Sequence, residues 1–335
     1  MQKKCAVVIT SINAPTRAVV EIARDRAKLN ARFVVVGDSK SPADFRYDGV
    51  EYYDIAAQIG SGFSIAPLAP TKHYARKNIG YLLAIQGGAD VIIETDDDNI
   101  PLDSFWMPRV RTVTGGLVTG RSWSNVYRHF TPALIWPRGL PLSSVRVTEP
   151  EFDTLPTVTR TCPIQQGLAD GDPDVDAIYR LILPLPVHFQ AGRSVILDRG
   201  VWCPFNSQNT TFFQEAFPLL YLPFHCSWRV TDIWRSLIAQ RIGWENGWSL
   251  LFQSPTVFQD RNEHDLMRDF AEEVPGYLNN DRIRLALEDL PLQPGVGHIP
   301  DNLMRCYELL VALDLVHRDE LALVRAWVAD LASIT

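Results

Sequence analysis

Residues 89–99 read ADVIIETDDDN, and this stretch decides the fold because an apolar strand runs directly into a row of acids. The run VII predicts a strand buried on both faces, as in a parallel sheet covered by helices. Ligands of open α/β sheets bind at the carboxyl ends of the strands. The carboxylates of Asp96, Asp97 and Asp98 repel one another unless a cation lies among them. The stretch therefore predicts a Mg²⁺ or Mn²⁺ site at this edge of an α/β sheet, since hard oxygen ligands select these ions.

Strand and helix signals alternate along the first hundred residues. Short apolar runs predict strands, and apolar residues at helical spacing predict helices, with Thr16 as a cap of the first helix. The predicted strands lie in 3–10, 31–37 and 49–55, and the predicted helices in 16–30 and 70–88. Apolar strands that alternate with helices predict an α/β fold, with a mostly parallel sheet flanked by helices.

The rest of the chain suits loops followed by a helical tail. Residues 105–230 are rich in proline, tryptophan and polar stretches, which is typical of loops that cover a rigid sheet and contact substrate. After Arg261 the apolar residues return to helical spacing. We therefore divide the chain into a catalytic domain at 1–262 and a C-terminal helical extension at 263–335. The extension is expected to pack on the catalytic domain or to mediate a homodimer.

The composition is that of an ordinary folded protein with an acidic surface. Of the 335 residues, 46% are hydrophobic and 21% are charged, and the formal net charge is −7. Nucleic acid is therefore not an expected partner. Five scattered cysteines without C-x-x-C spacing predict free thiols instead of disulfides or a zinc site. Because no apolar run reaches the ~18 residues of a membrane span, we expect a cytoplasmic protein with at most peripheral membrane association.

Basic residues precede the acidic strand by one predicted helix. Arg76 can contact phosphate oxygens through two parallel N–H groups, and Lys77 can contact them as a point charge. Asn78 lies beside them in the sequence. A solvated helix face is the alternative. Asp232 begins a later predicted helix, where an N-cap would explain it. Burial would raise the pKa of Asp232 and the helix N-terminus would lower it, so its protonation is left open.

A second acidic segment, DGDPDVDAIYRL at 170–181, places aspartates at alternating positions. The spacing imitates a calcium loop, but the glycine and the final glutamate of such a loop are missing. Asp174 and Asp176 either cap the helix DAIYRL or contact a ligand.

Three segments of the chain resemble the STELLO family of glycosyltransferases. They are KNIGYLLAIQGGADVIIETDDDN at 77–99, DGDPDVDAIYRL at 170–181 and RVTDIWRSLIAQRI at 229–242, within a resemblance that covers about residues 5–265. Asp96-x-Asp98 also looks like the D-x-D motif of metal-dependent glycosyltransferases with the GT-A fold. A fainter similarity, carried by RVTDIW, links the chain to the reversibly glycosylated polypeptides, which are UDP-arabinopyranose mutases. The resemblance implies a GT-A-like, Rossmann-like α/β fold.

The resemblance also implies roles for particular residues. Asp98 and Asp96 would bind Mn²⁺ or Mg²⁺, with His264 as a further ligand and His225 as its competitor. In inverting GT-A enzymes a carboxylate that opens a late helix is the general base, which implies that role for Asp232. Donor contacts are implied for Thr10, Ser11, Asn13, Asp38, Arg76, Lys77, Asn78, Asp96 and Asp97, and sugar or acceptor contacts for Asp174, Asp176 and Arg229.

The implied activity is transfer of a hexose or pentose from a nucleotide diphosphate donor, expected to be a UDP-sugar, to a hydroxyl group. The acceptor would be a glycan or another hydroxyl compound, as in surface glycan synthesis. One alternative is a nucleotide-sugar mutase of the UDP-arabinopyranose mutase type, which interconverts donor isomers without an acceptor. A non-catalytic scaffold on a GT-A fold is the other alternative.

Overall fold

The computed structural model describes residues 3–261 and 265–334 and places one mixed sheet between layers of helices. Within these ranges the strands are β1 Cys5–Thr10, β2 Ala31–Val36, β3 Glu51–Tyr53, β4 Val91–Thr95, β5 Asn99–Pro101, β6 Thr112–Val118, β7 Thr157–Thr161, β8 Ile164–Asp170, β9 Ser194–Leu197, β10 Asn209–Phe213 and β11 Leu250–Gln259. The helices are α1 Arg17–Asp25, α2 Ile55–Gly60, α3 Lys77–Gln86, α4 Ala177–Ile182, α5 Thr231–Glu245, α6 Leu266–Asp289, α7 Ile299–Ala312 and α8 Glu320–Ile334. The predicted α/β class, with a central sheet flanked by helices, is confirmed.

One half of the sheet is parallel, as the sequence predicts. Strands β3, β2, β1 and β4 lie side by side in this order and run in the same direction. The predicted cap of α1 is also confirmed, because the Thr16 hydroxyl accepts a hydrogen bond from the N–H of Val19. Since β1, β2 and β4 end at the same edge, the loops that follow Thr10, Val36 and Thr95 meet there.

The other half of the sheet is mixed, which differs from the mostly parallel sheet that the sequence predicts. β10 lies antiparallel to both β4 and β8, and the sheet continues through β11, β9, β6 and β7. β8 runs parallel to β11 and β6 runs parallel to β9, whereas β9 with β11, β5 with β11, and β6 with β7 are antiparallel pairs. These strands come largely from the region predicted as loops. Their pairing joins distant segments, which local propensity does not encode.

Helix α3 packs closely on the parallel half of the sheet. A Cβ added to Gly80 would lie 2.6 Å from Cγ2 of Val36 and 2.7 Å from Cγ1 of Val8, so the approach requires glycine. This packing brings the start of α3 to the edge where the parallel strands end. The Lys77 ammonium there donates a hydrogen bond of 2.9 Å to the carbonyl of Thr95, the last residue of β4.

Helices α6, α7 and α8 share the main hydrophobic core with the helices that cover the sheet. Ile283, Leu303 and Trp327 are buried in the same cluster as the side chains of α3 and α5. Among the described residues, none of the helices has both the length and the apolar character that crossing a bilayer requires. The boundary at 262/263 and the dimer contact through the C-terminal helices remain predictions.

Candidate functional site

A cleft of about 680 Å³ opens at the edge where β1, β2 and β4 end. Its walls come from the loops after these strands, from the turn before α3 and from the start of α5. Lys77, Asn78 and Asp176 are not among its lining residues, and His264 lies outside the described residues. The other predicted site residues all line it, namely Thr10, Ser11, Asn13, Asp38, Arg76, Asp96, Asp97, Asp98, Asp174, Arg229 and Asp232.

The acidic row after β4 is tied to two other segments. Asp96 forms an ion pair of 2.7 Å with Lys77 of α3. Asp97 accepts hydrogen bonds from the Ser11 hydroxyl at 2.5 Å and from the Asn13 amide at 3.0 Å. Ser11 and Asn13 follow β1, so these bonds join the loops of two neighbouring parallel strands. Residues that the sequence singles out in separate segments are thereby brought together.

Asp98 has a carboxylate oxygen that no described residue satisfies. Its Oδ2 accepts a hydrogen bond of 3.2 Å from Gln259, whereas its buried Oδ1 has no partner in the part of the chain that the structure describes. Burial and the charge of Asp96 raise the pKa of Asp98 to about 7. A divalent cation would relieve both effects, and carboxylate and amide oxygens suit Mg²⁺ and Mn²⁺. The donor set therefore fits such an ion.

The described residues alone do not complete a metal site. Among the described residues, no group of three or more histidine, cysteine, aspartate or glutamate side chains is arranged to hold an ion. Mg²⁺ is commonly held by one or two carboxylates together with substrate phosphates and water. A cation at Asp98 would accordingly take several of its ligands from the substrate.

Lys77 and Asn78 are engaged inside the protein. The buried Lys77 ammonium bonds the Thr95 carbonyl and the Asp96 carboxylate, and so fixes the start of the acidic row. The Asn78 amide exchanges two hydrogen bonds with the backbone of Leu222, at 2.8 and 2.9 Å. This corrects the predicted donor contact of Asn78, because its amide is satisfied outside the cleft. Lys77 would therefore act on a nucleotide-sugar donor only through its ion pair with Asp96.

A pocket at the end of β2 offers a hydrogen-bond acceptor and a donor. Asp38 accepts a hydrogen bond of 2.9 Å from the N–H of His73. Burial opposes ionisation of Asp38, but backbone hydrogen bonds and the charge of Arg76 outweigh it and lower its pKa. Arg76 is 2% exposed, with Nε bonded to Gln58 and Nη1 to the Ala69 carbonyl at 2.8 and 2.7 Å. Its buried Nη2 has no hydrogen-bond partner among the described residues.

Arg138, which the sequence analysis does not single out, joins two of the predicted aspartates. Its Nε and Nη2 donate to Asp174 at 2.8 and 2.9 Å, and its Nη1 and Nη2 donate to Asp232 at 3.0 and 2.9 Å. The Asn206 amide also bonds Asp174, at 2.8 Å, and the N–H of Ser207 bonds Asp232, at 3.1 Å. We call Arg138, Asp174 and Asp232 the arginine–aspartate unit.

Asp232 lies in the first turn of α5, where Val230 occupies the N-cap position. Burial raises the pKa of Asp232, but the charge and hydrogen bonds of Arg138 outweigh it and lower the pKa to about 2. A carboxylate with so low a pKa is a weak proton acceptor, because a general base works best with a pKa near the operating pH. The role of Asp232 as general base remains a prediction, and the two hydrogen bonds that its carboxylate accepts from Arg138 do not favour it.

Asp176 has a structural role. Its carboxylate caps α4 by accepting a hydrogen bond of 2.8 Å from the N–H of Tyr179, and it accepts a second bond of 2.6 Å from the Trp136 indole. This corrects the predicted sugar or acceptor contact, because the carboxylate is used outside the cleft. Arg229 does line the cleft, with its guanidinium paired to Glu273 of α6 at 2.7 Å.

Aromatic rings form part of the rim. Trp228 lines the cleft and is 47% exposed, with its ring centroid 5.8 Å from that of Tyr74 and 6.3 Å from that of His73. His225, the second histidine considered as a metal ligand, is not among the cleft-lining residues and packs against His317 at 6.1 Å.

Gln259, Arg261 and Arg138 are among the polar residues of the cleft that sequence reasoning misses. Gln259 and Arg261 lie at the end of β11, and the rule that drew attention to the acids after β4 could have found them. Arg138 lies in the segment WPRGLP, which has no periodicity or motif that marks it.

Comparison with known proteins agrees with the resemblance seen in the sequence. Residues 229–335 match the family of STELLO glycosyltransferases. The chain is 29% identical over 298 residues to STELLO1 of Arabidopsis thaliana, described as a probable glycosyltransferase, a match that covers 83% of this chain and 38% of that protein. It is 30% identical over 271 residues to STELLO2 of the same plant, covering 75% of this chain and 35% of that one. The chain thus spans less than two fifths of these relatives, and the predicted kinship with STELLO proteins is confirmed.

Among solved structures, the crystal structure of M. tuberculosis glucosyl-3-phosphoglycerate synthase aligns with a TM-score of 0.41 at 12% identity. That alignment covers 85% of this chain and 79% of the synthase.

Proposed function

Because the chain is related to the STELLO glycosyltransferases, we propose that it transfers a sugar from a uridine diphosphate donor to a hydroxyl group of an acceptor, with the help of a divalent cation. One observation carries the proposal. Asp98 lines a cleft at the carboxyl ends of parallel strands, and one of its carboxylate oxygens is buried and unsatisfied by any described residue. A cation bridging Asp98 to a diphosphate would satisfy that oxygen.

The pocket of Asp38 and Arg76 supports uracil as the donor base. The edge of uracil presents an N–H between two carbonyl oxygens. The Asp38 carboxylate accepts from an N–H, and the free Nη2 of Arg76 donates to a carbonyl. Cytosine presents an amino group where uracil has a carbonyl. The N–H donor of that amino group would face the Nη2 donor of Arg76, and no hydrogen bond could form. The position of Arg76 beside Asp38 favours a nucleoside contact over the diphosphate contact that the sequence predicts.

The row Asp96–Asp98 supports the cation. Asp98, with Asp96 beside it, would hold Mg²⁺ or Mn²⁺, and the ion would neutralise the charge that develops on the departing diphosphate. Arg261 lines the same cleft, and its charge opposes the rise in the pKa of Asp98. It therefore adds a positive charge near the place proposed for the diphosphate.

Calorimetric titration tests the donor. UDP and CDP would be titrated into the protein in excess Mn²⁺ and in EDTA. We expect UDP to bind at least about tenfold more tightly than CDP, because one mismatched hydrogen bond to a charged group costs about 1.5–3 kcal/mol. We also expect binding to weaken in EDTA. Equal affinity for UDP and CDP would reject the base assignment, and equal affinity with and without metal would reject the cation.

Product analysis separates transfer from isomerisation. A UDP-sugar would be incubated with the protein and Mn²⁺, with and without hydroxyl acceptors. A transferase should release UDP quickly only when an acceptor is present. Interconversion of donor isomers without an acceptor would reject the transferase in favour of the mutase.

A further inference from the structure

Arg138 uses its full hydrogen-bonding capacity within the protein. A guanidinium has five N–H donors. Nε bonds Asp174, Nη1 bonds Asp232 and the Arg229 carbonyl, and Nη2 bonds both aspartates. With every donor engaged, Arg138 has none left for a substrate. Its part in the cleft is to fix the positions of the two carboxylates.

The two carboxylates keep acceptor capacity of their own. Oδ2 of Asp174 accepts from Arg138 and Asn206, and Oδ2 of Asp232 accepts from Arg138 and Ser207. Oδ1 of each aspartate accepts from Arg138. A carboxylate oxygen has room for about two hydrogen bonds, so each Oδ1 can take one more. Both aspartates line the cleft, so the arginine–aspartate unit brings two fixed carboxylates with spare acceptor capacity to its wall.

The charge of the unit indicates what it binds. Two carboxylates share the charge of one guanidinium, so the unit carries a surplus of one negative charge. The surplus charge makes the unit itself an acceptor and not an anion site, and neutral hydroxyl groups donate well to ionised carboxylates. The two carboxylates are fixed by one guanidinium, so each can accept from a different hydroxyl group of a sugar.

The unit lies next to the acidic row. The N–H of Ser207 bonds Asp232, and the carbonyl of Ser207 accepts a hydrogen bond of 3.4 Å from Lys77. Lys77 in turn pairs with Asp96. A sugar attached to a diphosphate at the acidic row would therefore lie close to the unit.

We propose that Arg138 is a positioning residue that holds Asp174 and Asp232 as a rigid pair of acceptors for the hydroxyl groups of the donor sugar. The inference rests on the proposed function, and it gives Asp232 a binding role in place of proton abstraction. Arg138 tunes the preference for the complete donor over the bare nucleotide, although it touches neither.

The test compares the affinities of UDP and of UDP-sugars. Calorimetry in excess Mn²⁺ would measure the Kd of UDP, UDP-glucose, UDP-galactose and UDP-arabinopyranose for the wild type, R138Q, R138K and D174N. For the best sugar, we expect the ratio of the UDP Kd to the UDP-sugar Kd to fall at least about tenfold in R138Q. The Kd of UDP itself should stay nearly constant. R138K keeps the positive charge but loses the planar set of N–H donors that holds both carboxylates, so it should lower the ratio as well.

Two further variants keep the test decisive. D174N leaves Arg138 paired with Asp232 and removes the surplus negative charge, so it should fold and lower the same ratio even where R138Q does not fold. R241Q is the matched control, because Arg241 is as buried as Arg138, with 8% of each side chain exposed, and lies outside the cleft lining. R241Q should destabilise the fold and leave the ratio unchanged.

The outcomes separate the two proposals. If the wild type binds neither UDP nor any UDP-sugar of the panel, the proposed function and this inference are both wrong. If the wild type binds a UDP-sugar, and R138K and D174N have the same ratio of UDP Kd to UDP-sugar Kd as the wild type, the inference alone is wrong. The inference is also wrong if all variants weaken UDP and UDP-sugar equally, because the role of Arg138 would then be structural.

Discussion

Replacing Asp98 by asparagine tests the cation site without any knowledge of the acceptor. Burial and the charge of Asp96 raise the pKa of Asp98 to about 7, against 3.8 for an unperturbed aspartate. The folded state therefore holds this proton more tightly than the unfolded chain does. The resulting stability is fully present below the unfolded pKa and is lost as the pH rises through about 7. At 1.36 kcal/mol per unit, the ionised carboxylate costs up to about 4 kcal/mol above that pH.

Asparagine carries no charge and has nearly the same shape, so Asp98→Asn should remove this cost. In EDTA at pH 8 we expect the variant to melt higher than the wild type by up to roughly 8 °C, at about 2 °C per kcal/mol for a chain of this size. At pH 5 less than about half of the difference should remain, because Asp98 is then protonated in the folded state, and only the preference of the unfolded chain for the ionised form still costs stability.

When metal and nucleotide are present, the wild type should melt at a higher temperature than Asp98→Asn. Excess Mn²⁺ with UDP should raise the melting temperature of the wild type, because the ion compensates Asp98 and binds only the folded state. Asp98→Asn should show little of this rise. Thermal melts by circular dichroism at both pH values measure the effect. Asp103→Asn, an exposed change just beyond β5, is the matched control and should behave like the wild type.

Two results would refute the reasoning. One is a variant that in EDTA at pH 8 is no more stable than the wild type, which would mean that Asp98 is not an uncompensated charge. The other is a metal-dependent stabilisation by UDP that survives Asp98→Asn unchanged.

Three further predictions concern other buried charges. Lys77→Met should lower the free energy of unfolding by about 1–3 kcal/mol, because the Thr95 carbonyl loses its charged donor and the partly exposed Asp96 loses its cation; urea unfolding measures this, and an unchanged or higher stability would contradict it. Asp176→Ala should cost about 2–4 kcal/mol, through the lost cap of α4 and the buried Trp136 indole left without an acceptor, and should leave UDP-sugar affinity unchanged in calorimetry; a tenfold loss of affinity would restore the sugar contact. Burial raises the pKa of Glu320 to about 7, so its contribution to stability is present at acid pH and falls by up to about 3 kcal/mol as the pH rises from 4.5 through 7. Melting temperatures between pH 5 and 8 should therefore depend less on pH in Glu320→Gln, and an unchanged slope would exclude Glu320 as the source.

The parallel half of the sheet and the acidic row could be predicted because both are local patterns. Apolar runs of strand length give β1, β2 and β4, and a strand that ends in acids marks a ligand edge. The mixed half could not be predicted in the same way. β10 lies between β4 and β8 although it follows β4 by more than a hundred residues in the chain, and no local pattern encodes such a partner.

The residues of the candidate site could also be predicted only in part. Residue type and position along the chain were enough to single out Asp96 and Asp98, and the family resemblance singled out Asp38; all three line the cleft. The same reasoning assigned ligand contacts to Asn78 and Asp176, whose polar groups are satisfied by the backbone of Leu222 and by Trp136 and Tyr179. Whether a polar side chain is free depends on which groups surround it.

The sequence by itself determined that this chain forms an α/β sheet with carboxylates at a strand end and that it is kin to the STELLO glycosyltransferases. Only the tertiary structure decided which charges are compensated. Arg138 lies 94 residues from Asp232 along the chain, yet it lowers the pKa of Asp232 to about 2, whereas Asp98, without a comparable partner among the described residues, has its pKa raised to about 7. The reason is that electrostatic energies depend on separation in space and on burial. Both quantities are established when distant segments pack together.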